Sequence, residues 1–485
     1  MPMPIALALD VGTSSVRALA FDAGSGRVLR RLAAGWGADR GPAPADALLA
    51  AVGTVLDGLE AWAATRPRAL VAGGVSVLWH SALLVDAQGR ARTPVFGWSD
   101  LDPRFDEAAR RLAATLDGGA VRARVGAPVH PSFPAAKAAA LLAGAADGGR
   151  ARLWGAEDLV TRMLWGRVVK SLSHAGGTGM WDTRAGTWDG AVLAAVGLAV
   201  GQLPPVDDGP VRGEPWSDDA RRRWPVLGAV PWTRPQGDGA LANLGMAALD
   251  DVWGATVGTS AALRHLGSAP VPVPLPGSLF SYGLGPGLRV VGGALSGGGN
   301  LLAYLARRER VRLADVEPAV QGLDVGAGGV AVVPYVWGER SPGWTTGATG
   351  VIAGLTAATP AAAVVRAGVD AIGAGLARIG ADLAAARGRP VLVRAGGRAV
   401  ARSAAVGQML ADALAVEVEV CGAWDESSAI GAARLGLEAA GHPAWPAGAV
   451  GAVRFAPRPL AAAYQALGER LERLARAARA APPPR

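Results

Sequence analysis

The stretch ALDVGTSSVRAL (residues 8–19) returns in altered form as GATVGTSAALRHL (residues 254–266), about half a chain later. In each copy an apolar strand pattern leads into Gly-Thr-Ser and then into a second strand pattern. A single recurrence at this separation indicates duplication of a whole domain, because the short units of a solenoid recur many times. The sequence therefore predicts an α/β chain of two similar domains, residues 1–237 and 238–485.

The length and composition of the chain agree with two large soluble domains. Its 485 residues exceed the roughly 100–200 of one ordinary domain, and 51% of them are hydrophobic. No stretch reaches the roughly 18 uninterrupted apolar residues of a membrane helix, and the N-terminus lacks the basic segment of a signal peptide. We therefore expect a cytoplasmic protein without a membrane partner, and a homodimer is compatible with the sequence.

The charge distribution argues against a nucleic-acid-binding protein, and the cysteine content argues against disulfides and thiolate metal sites. The net charge is +8, but the positive residues are spread along the chain and nearly all are arginine, since Lys137 and Lys170 are the only lysines. This distribution lacks the basic tail or patch that is typical of a nucleic-acid-binding protein, so we expect no nucleic-acid partner. The single cysteine, Cys421, excludes an internal disulfide and a thiolate metal cage.

Hydrophobic patterning gives each predicted domain a sheet and flanking helices. Residues 4–36 are predicted as three strands, residues 45–64 as a helix and residues 71–78 as a buried strand, in the order β-β-β-α-β. The second half shows a similar order. Its strand patterns span residues 251–258, 278–284, 288–295, 390–397 and 416–422, and its helical patterns span residues 239–249, 360–387, 402–415 and 425–440.

The two Gly-Thr-Ser turns are candidate phosphate sites. A strand, a Gly-Thr-Ser turn and a second strand expose backbone N–H groups and hydroxyls in one concavity, which suits phosphate oxygens. An ordinary β-turn explains one such turn more simply, but a pair in equivalent contexts favours phosphate binding. The candidate ATP-binding residues are Gly12, Thr13 and Ser14 in the first turn and Gly258, Thr259 and Ser260 in the second.

The residue at the end of the strand before each turn distinguishes the two copies. Asp10 ends the first predicted strand, where its carboxylate is suited to hold Mg²⁺, directly or through water, beside the phosphates. A turn or capping aspartate is the alternative interpretation. Thr256 takes the equivalent position in the second copy, and a threonine supplies no comparable anionic ligand. The sequence thus predicts one metal carboxylate, on the first domain.

Asp238 is the candidate catalytic base. Phosphoryl transfer to an alcohol needs a group that orients and deprotonates the attacking hydroxyl. Asp238 stands between two glycines in PQGDGALANLG, at the start of a predicted helix whose N-terminus would stabilise a negative charge. A simple helix N-cap is the alternative interpretation.

A Gly-Gly pair later in the chain is the candidate adenosine site. Gly396 and Gly397 lie between a predicted strand and a predicted helix in VLVRAGGRAVARS, where a flat purine and ribose could approach the backbone closely. An isolated Gly-Gly turn is ambiguous. The chain has neither a G-x-x-x-x-G-K-[ST] loop nor a G-x-S-x-G elbow, and its five histidines show no metal-ligand spacing.

Together these motifs resemble the FGGY carbohydrate kinases of the actin/hexokinase-like ATPase superfamily, and the resemblance covers nearly the whole chain. It is carried by LDVGTSSVRALAFD, ATVGTSAALR, the Gly237-Asp238 pair, RAGGRAVARSAAVGQMLADAL and ESSAIGAARLG. The resemblance implies two RNase H-like (actin-like ATPase) domains with a nucleotide cleft between them. It also implies ATP and Mg²⁺ as cofactors and a sugar bound mostly against the first domain.

Several stretches look most like the gluconokinases of this family, among them GVSVLWHSALLVDAQGR, FGWSDLDPR and PYVWGERSPGWTTGATGVIAGL. By this resemblance, Trp79 and His80 would contact the sugar, with Trp98 and Asp100 nearby. A strand-end aromatic, a satisfied histidine and a turn aspartate are the alternative interpretations. Lys137 is the candidate partner for the carboxylate of a sugar acid, and a solvated surface lysine is the alternative.

The resemblance implies ATP-dependent phosphorylation of the primary hydroxyl of D-gluconate to 6-phosphogluconate. A xylulokinase or another pentulose or polyol kinase is an alternative, and so is a non-catalytic nucleotide- or sugar-binding regulator. Three departures from the family pattern bear on this choice. Asp102 replaces the arginine of W-x-D-x-R, Ala140 replaces a tryptophan after the lysine signature, and Thr349 replaces the arginine of A-R-G.

Overall fold

The chain is organised around two mixed β-sheets of seven strands each. The computed structural model describes residues 3–38, 41–100, 102–145, 150–207, 209, 211–268, 270, 273–285, 287–445 and 451–480. Two compact units divide the chain. Unit 1 comprises Met1–Gly245, Ser281–Val290 and Glu426–Gly448, and unit 2 comprises Met246–Phe280, Val291–Asp425 and Ala449–Arg485. Unit 1 therefore extends beyond the expected boundary at residue 238 and takes in two later segments.

Both units contain strands and α-helices. The strands are β1 (Ile5–Val11), β2 (Ser15–Asp22), β3 (Val28–Gly35), β4 (Leu70–Val77), β5 (Leu83–Val85), β6 (Arg152–Trp154), β7 (Lys170–Ser171), β8 (Trp181–Asp182), β9 (Thr187–Trp188), β10 (Val206–Asp207), β11 (Gly213–Glu214), β12 (Trp232–Thr233), β13 (Gln236–Gly237), β14 (Val252–Val257), β15 (Ala261–Gly267), β16 (Phe280–Gly283), β17 (Arg289–Leu295), β18 (Ala331–Val333), β19 (Val351–Ala353), β20 (Leu392–Gly396), β21 (Val418–Val420) and β22 (Val453–Phe455). The α-helices are α1 (Ala45–Ala63), α2 (Pro103–Thr115), α3 (Gly118–Val125), α4 (Pro134–Ala143), α5 (Ala156–Trp165), α6 (Leu172–Gly176), α7 (Gly190–Val196), α8 (Asp218–Arg223), α9 (Asp238–Gly245), α10 (Gly299–Arg308), α11 (Leu313–Gly322), α12 (Ala361–Arg387), α13 (Arg398–Arg402), α14 (Ala404–Leu414), α15 (Ser427–Ala439) and α16 (Ala461–Ala480).

The sheet of unit 1 has the strand order β11-β12-β4-β1-β2-β3, with β13 also paired to β4. β1 is antiparallel to β2 but parallel to β4, and β13 also runs parallel to β4. Because parallel strands end at the same edge of a sheet, β1, β4 and β13 finish side by side. We call this edge the carboxyl edge of unit 1.

Alternate residues of β1 project from opposite faces of this sheet. Leu7, Leu9 and Val11 enter a core that also contains Leu48 and Leu56 of α1. Each such buried aliphatic side chain contributes about 1.5–3 kcal/mol to folding. Asp10 projects from the opposite face of β1, on the side away from this core.

The sheet of unit 2 has the strand order β16-β17-β15-β14-β20-β21-β22. β14 is antiparallel to β15 and parallel to β20, which repeats the arrangement of β1 with β2 and β4. α12 has 27 residues, is about 40 Å long and packs against α14, α16 and β15. Neither α12 nor any other described helix is long and apolar enough to cross a membrane.

α15 lies in the second half of the sequence but packs in unit 1, against β4, β1 and α9. Glycines make this close packing possible. A Cβ atom on Gly74 of β4 would lie 1.9 Å from the carbonyl oxygen of Ala432, and one on Gly431 would lie 1.9 Å from that of Leu241. The helix expected over residues 239–249 is α9, which ends at Gly245 and belongs to unit 1.

Most other predicted elements are found close to their expected bounds. The hairpin of β1 and β2, the helix α1 and the strands β14 and β20 all lie within a few residues of the predicted ranges. Together with the solved structures described below, this confirms the expected two-domain α/β fold.

Candidate active site

Two carboxylates stand at the carboxyl edge of unit 1. Asp10 is the penultimate residue of β1, and Asp238 directly follows β13. Both strands are neighbours of β4, and Asp10 is level with Gln236, two residues before Asp238, so the two Cα atoms lie on the order of 10 Å apart. The candidate metal ligand and the candidate base, which are far apart in the sequence, are thus brought to one edge of one sheet.

Asp10 is buried and its two carboxylate oxygens differ. Arg17, which stands opposite Asp10 in the β1–β2 hairpin, forms an ion pair with Oδ2. Among the described residues, Oδ1 has no hydrogen-bond partner. The Arg17 guanidinium also donates to Glu426 Oε2 at 2.7 Å, and Arg31 donates to Oε1 of the same glutamate at 2.6 Å. One oxygen of Asp10 is therefore held and the other is left for a ligand.

This arrangement fits a hydrated magnesium ion. Mg²⁺ is usually bound in kinase sites by one or two carboxylates, with water and phosphate oxygens completing its coordination. Asp10 supplies one carboxylate with an unsatisfied oxygen. In the described ranges no group of three or more His, Cys, Asp or Glu residues could form a metal cage by itself. The residues present therefore suit a metal that brings most of its own ligands.

The first Gly-Thr-Ser turn connects β1 to β2. The N–H of Gly12 donates to the carbonyl of Ser15 at 3.0 Å, and the carbonyl of Gly12 accepts from Trp36 Nε1 at 3.1 Å. Thr13 is half-buried and Ser14 is exposed. The amide of Gly12 is therefore used to close the turn, and Thr13 and Ser14 are left as the candidate phosphate donors.

The second Gly-Thr-Ser turn connects β14 to β15 and is one residue tighter. The N–H of Gly258 donates to the carbonyl of Ser260 at 3.0 Å. The carbonyls of Gly258 and Thr259 accept from the N–H groups of Gly299 and Asn300 at 2.8 and 3.2 Å. The first amides of α10 thus bind this turn, which fixes its carbonyl side.

Gly396 and Gly397 lie beside the second turn. β20 is parallel to β14, and Gly396 is in register with Thr256. Gly397 has φ = +105°, and a Cβ atom there would lie 2.7 Å from the carbonyl oxygen of Val257. Only glycine fits this approach. The candidate phosphate turn and the candidate adenosine residues of unit 2 are therefore neighbours at one sheet edge.

Asp238 begins α9 and is half-buried. Its Oδ1 accepts from the N–H of Gly239 at 2.8 Å and from the N–H of Trp79 at 3.4 Å, and its carbonyl accepts from Ser428 Oγ at 3.1 Å. The bond from Gly239 comes from the very next residue, whereas an N-cap side chain accepts from the second or third residue of its helix. The bond from Trp79 ties the carboxylate to the end of β4, and the bond from Ser428 ties the backbone to α15. The candidate base is therefore positioned by α9, β4 and α15.

Trp79 explains why a glycine precedes Asp238. Its indole Nε1 donates to Ser173 Oγ at 3.1 Å, and the N–H of Gly237 donates to the same oxygen at 3.1 Å. A Cβ atom on Gly237 would lie 1.7 Å from Nε1 of Trp79. The indole is thus packed against the backbone at Gly237, and only 5% of Trp79 is exposed. Its predicted contact with the sugar stays a prediction.

His80 lies half-buried beside Trp79 in a strained conformation. Its φ of +63° is in the left-handed region, which costs a non-glycine residue about 1–3 kcal/mol. The ring Nδ1 lies 2.8 Å from the carbonyl oxygen of Gly177, and the ring edges meet Phe133 and Tyr282 at centroid distances of 4.7 and 5.7 Å. Such strain, when held by neighbours, is typical of functional sites.

Trp98 and Asp100 lie in the loop before α2, and both are half-buried. The N–H of Gly97 donates to Asp100 Oδ2 at 2.6 Å, as expected for a turn aspartate. Burial raises the pKa of Asp100, whereas the bond from Gly97 and the charge of Lys137 act in the opposite direction.

Lys137 is fully buried, so its interpretation as a solvated surface lysine is wrong. Its Nζ donates to the carbonyl of Pro131 at 2.5 Å and lies 5.3 Å from the ring centre of Phe105. Burial lowers the pKa of Lys137 to about 7, against the opposing charges of Asp100 and Asp106. Contact with a substrate carboxylate stays a prediction, and it requires the interior around Lys137 to open.

Sequence reasoning missed Arg17 as the partner of Asp10, and it missed Glu426 as the second partner of Arg17. Arg17 could have been found from the hairpin register, because a strand, a short turn and a strand set it opposite Asp10. Glu426 could not, because it reaches the site only through the packing of α15 on unit 1.

Residues 5–245 match the N-terminal domain, and residues 254–440 the C-terminal domain, of the FGGY family of carbohydrate kinases. A gluconokinase of Bacillus subtilis is 27% identical over 379 residues, covering 75% of this chain and 73% of the relative. Among solved structures, a gluconate kinase from Lactobacillus acidophilus has a TM-score of 0.84 at 22% identity, covering 99% of both chains. A ligand-bound xylulose kinase from the same organism has a TM-score of 0.83 at 22% identity, also over 99% of both chains. At these identities the structural likeness shows the fold alone.

Proposed function

Because the chain belongs to the FGGY family of carbohydrate kinases, we propose that it transfers the terminal phosphoryl group of ATP to the primary hydroxyl of D-gluconate. The product is 6-phosphogluconate. The choice of a sugar acid is supported by the similarity to a relative named gluconokinase. The cytoplasm is the compartment proposed for this reaction.

The position of Asp238 is the observation that carries this proposal. Its carboxylate is half-buried at the first turn of α9, where the helix N-terminus stabilises negative charge. Asp238 accepts the proton of the attacking hydroxyl and orients its oxygen. Trp79 and Ser173 hold the backbone just before Asp238, so the carboxylate keeps a fixed direction during this step.

Asp10 is the residue proposed to hold Mg²⁺, through its unsatisfied Oδ1. The metal, when bound, neutralises negative charge that develops on the phosphate oxygens. Arg17 holds the other oxygen of Asp10 and keeps the carboxylate in one orientation. Thr13 and Ser14 donate to phosphate oxygens from the adjoining turn.

Unit 2 supplies the second set of nucleotide contacts in this proposal. Thr259 and Ser260 donate to phosphate oxygens, and the backbone of Gly396 and Gly397 lies against the adenosine. The contact of Gly397 with Val257 supports the pairing of these two functions on one sheet edge. Trp79, His80, Trp98 and Asp100 are the proposed sugar-binding residues of unit 1.

A neutral ketopentose such as xylulose is the second candidate substrate. The observation that favours it is the burial of Lys137, whose ammonium is bonded to Pro131 rather than directed to an open surface. A sugar acid needs a cation for its carboxylate, whereas a neutral sugar does not. A kinase with the second specificity would keep the same base and metal ligand.

The test is ATP consumption by the purified protein with D-gluconate, D-xylulose, D-ribulose, glycerol and L-fuculose in parallel. The proposal expects the largest kcat/KM with D-gluconate and a phosphorylated product in equal amount to ADP. A larger value with a ketopentose would replace the substrate but keep the kinase. A protein that binds ATP and shows no turnover with any of them would instead be a nucleotide-binding regulator.

A further inference from the structure

Three buried polar side chains lie side by side at the carboxyl edge of unit 1. Asp10 of β1 is in register with Ser76 of β4, and Ser76 is in register with Gln236 of β13. Their exposed fractions are 1%, 0% and 4%. Register partners on adjacent strands project from the same face of a sheet, with the strands about 4.8 Å apart. We call Asp10, Ser76 and Gln236 the polar row.

Each member of the polar row has an oxygen atom that the protein leaves unsatisfied. Within the described part of the chain, Asp10 Oδ1, Ser76 Oγ and Gln236 Oε1 are buried and have no hydrogen-bond partner. Buried polar groups in folded proteins are almost always paired, and a bound water or ion is one explanation for an unpaired one. Three such oxygens in adjacent register positions indicate one shared ligand.

The oxygens of the polar row favour a ligand that is positively charged or that donates hydrogen bonds. Gly74 and Ser76 project from the same face of β4, and Gly74 is in contact with α15. Glu426, the residue just before α15, binds the arginine that also binds Asp10. Arg31 also pairs with Glu426, so Asp10, Arg17, Glu426 and Arg31 together are neutral, and the preference for a cation rests on the three unsatisfied oxygens of the row, each of which can accept a hydrogen bond.

We propose that Ser76 and Gln236 extend the cation site at Asp10, by accepting hydrogen bonds from water molecules bound to Mg²⁺. This inference rests on the proposed function, which makes Asp10 a metal ligand. Mg²⁺ loses its water reluctantly and keeps several molecules when bound to protein. Metal-bound water donates hydrogen bonds, so the hydroxyl and amide oxygens of the row complement it. Ser76 and Gln236 are thus positioning residues that orient the hydrated metal.

The test measures Mn²⁺ binding by electron paramagnetic resonance on the full-length protein, with and without ADP. Ser76→Ala and Gln236→Met each remove one acceptor of the row. Loss of such an outer partner typically lowers metal affinity about 10-fold or more. We expect this loss in both variants, and we expect Mn²⁺ to raise their melting temperature less than that of the wild type.

Thr233→Val is the matched control. Its Oγ1 is also buried without a hydrogen-bond partner among the described residues, but Thr233 lies on β12, outside the polar row. The control should bind Mn²⁺ as the wild type does. Equal Mn²⁺ affinity in all four proteins, or no Mn²⁺ binding by the wild type, would overturn the inference. A loss in the control as large as in the row variants would do the same, because it would show a general effect of folding.

Failure of this inference can be told apart from failure of the proposed function. If a sugar stimulates ATP consumption while the row variants bind Mn²⁺ normally, the kinase stands and the inference falls. If the row variants lose Mn²⁺ binding while no sugar is phosphorylated, the cation site stands and the proposed reaction falls.

Discussion

The two Val-Gly-Thr-Ser hairpins share their sequence but not their surroundings. In unit 1 the strand before the turn offers Asp10, which is paired with Arg17, and in unit 2 it offers Thr256, whose hydroxyl accepts from Arg264 at 3.1 Å. The first turn is one residue longer. The carbonyl of its glycine binds Trp36, whereas the second turn binds the first amides of α10.

This comparison shows that one motif has different partners in the two units. An arginine is present in both hairpins, but only in unit 1 does it bind a carboxylate, whose other oxygen has no hydrogen-bond partner among the described residues. In unit 2, Gly397 and Gly299 lie close to the backbone of the second hairpin. Thr256 stands there at the position that Asp10 takes in unit 1. The proposed division of labour is therefore metal binding in unit 1 and phosphate binding in both.

The largest expected effect tests this asymmetry directly. Asp10→Ala removes the only anionic ligand proposed for the metal, so Mg²⁺-dependent turnover should fall about 10²–10³-fold. Thr256→Ala removes only a neutral hydroxyl and should change kcat by less than about 3-fold. Steady-state kinetics across a Mg²⁺ titration measure both. Similar losses in the two variants would break the comparison.

The next largest difference is expected in the cost of replacing the arginines of the two hairpins. Arg17→Met leaves Asp10 and Glu426 without this partner, and the loss of an ion pair with a buried carboxylate destabilises unit 1 by about 3 kcal/mol. Arg264→Met removes a bond to a neutral hydroxyl of Thr256 and should cost about 1 kcal/mol. Urea unfolding of both variants gives the two values. The account is contradicted if Arg264 proves the more costly one to replace.

The glycines should show the reverse order, with the larger loss of stability in unit 2. Gly397→Ala places a Cβ atom 2.7 Å from the Val257 carbonyl at a φ of +105°, which should cost about 2 kcal/mol and raise the KM for ATP. Gly12→Ala places its Cβ atom 3.4 Å from the Ser15 carbonyl, an ordinary contact. It should cost less than about 1 kcal/mol. Thermal unfolding and ATP titration check both, and equal tolerance would remove the argument for a tightened second hairpin.

The last expected effect is a pH dependence of stability, and it concerns the buried lysine of unit 1. Because the pKa of Lys137 is lowered in the folded state, the unfolded chain binds more protons between about pH 7 and the ordinary lysine value of 10.5. Stability from this group therefore rises with pH in that window, by at most about 1.4 kcal/mol per unit. Lys137→Met should flatten the rise. Urea midpoints across the window provide the measurement, and an unchanged slope would contradict the burial of a titrating lysine.

Much of the fold could be predicted from the sequence, because the patterns that specify it are local. The strand patterns around Asp10 and Thr256, and the helical spacing of α1, depend on neighbouring residues alone. The return of α15 to unit 1 could not be predicted. It depends on glycines such as Gly74 and Gly431, whose partners are distant in the sequence.

The candidate site also has parts that the sequence could predict and parts that it could not. Motif spacing identified Asp10, Asp238 and Gly397 as candidates, and the structure brings each to the end of a parallel strand. The burial of Lys137 had no local signal, because its helix is alanine-rich on every side. Ser76 and Gln236 became visible only through strand register, which a single sequence does not reveal.

The central claim is that Asp238 acts as the base of a sugar kinase. Its most direct test is gluconate-dependent ADP formation by Asp238→Asn, with ATP binding measured on the same preparation and Asp46→Asn as the control. Asp46 is likewise an acid in the first turn of a helix, but it is exposed on α1. The account predicts normal ATP binding in both variants, and at least a 10²-fold loss of turnover in Asp238→Asn alone. Turnover by Asp238→Asn within a few fold of the wild type would contradict it.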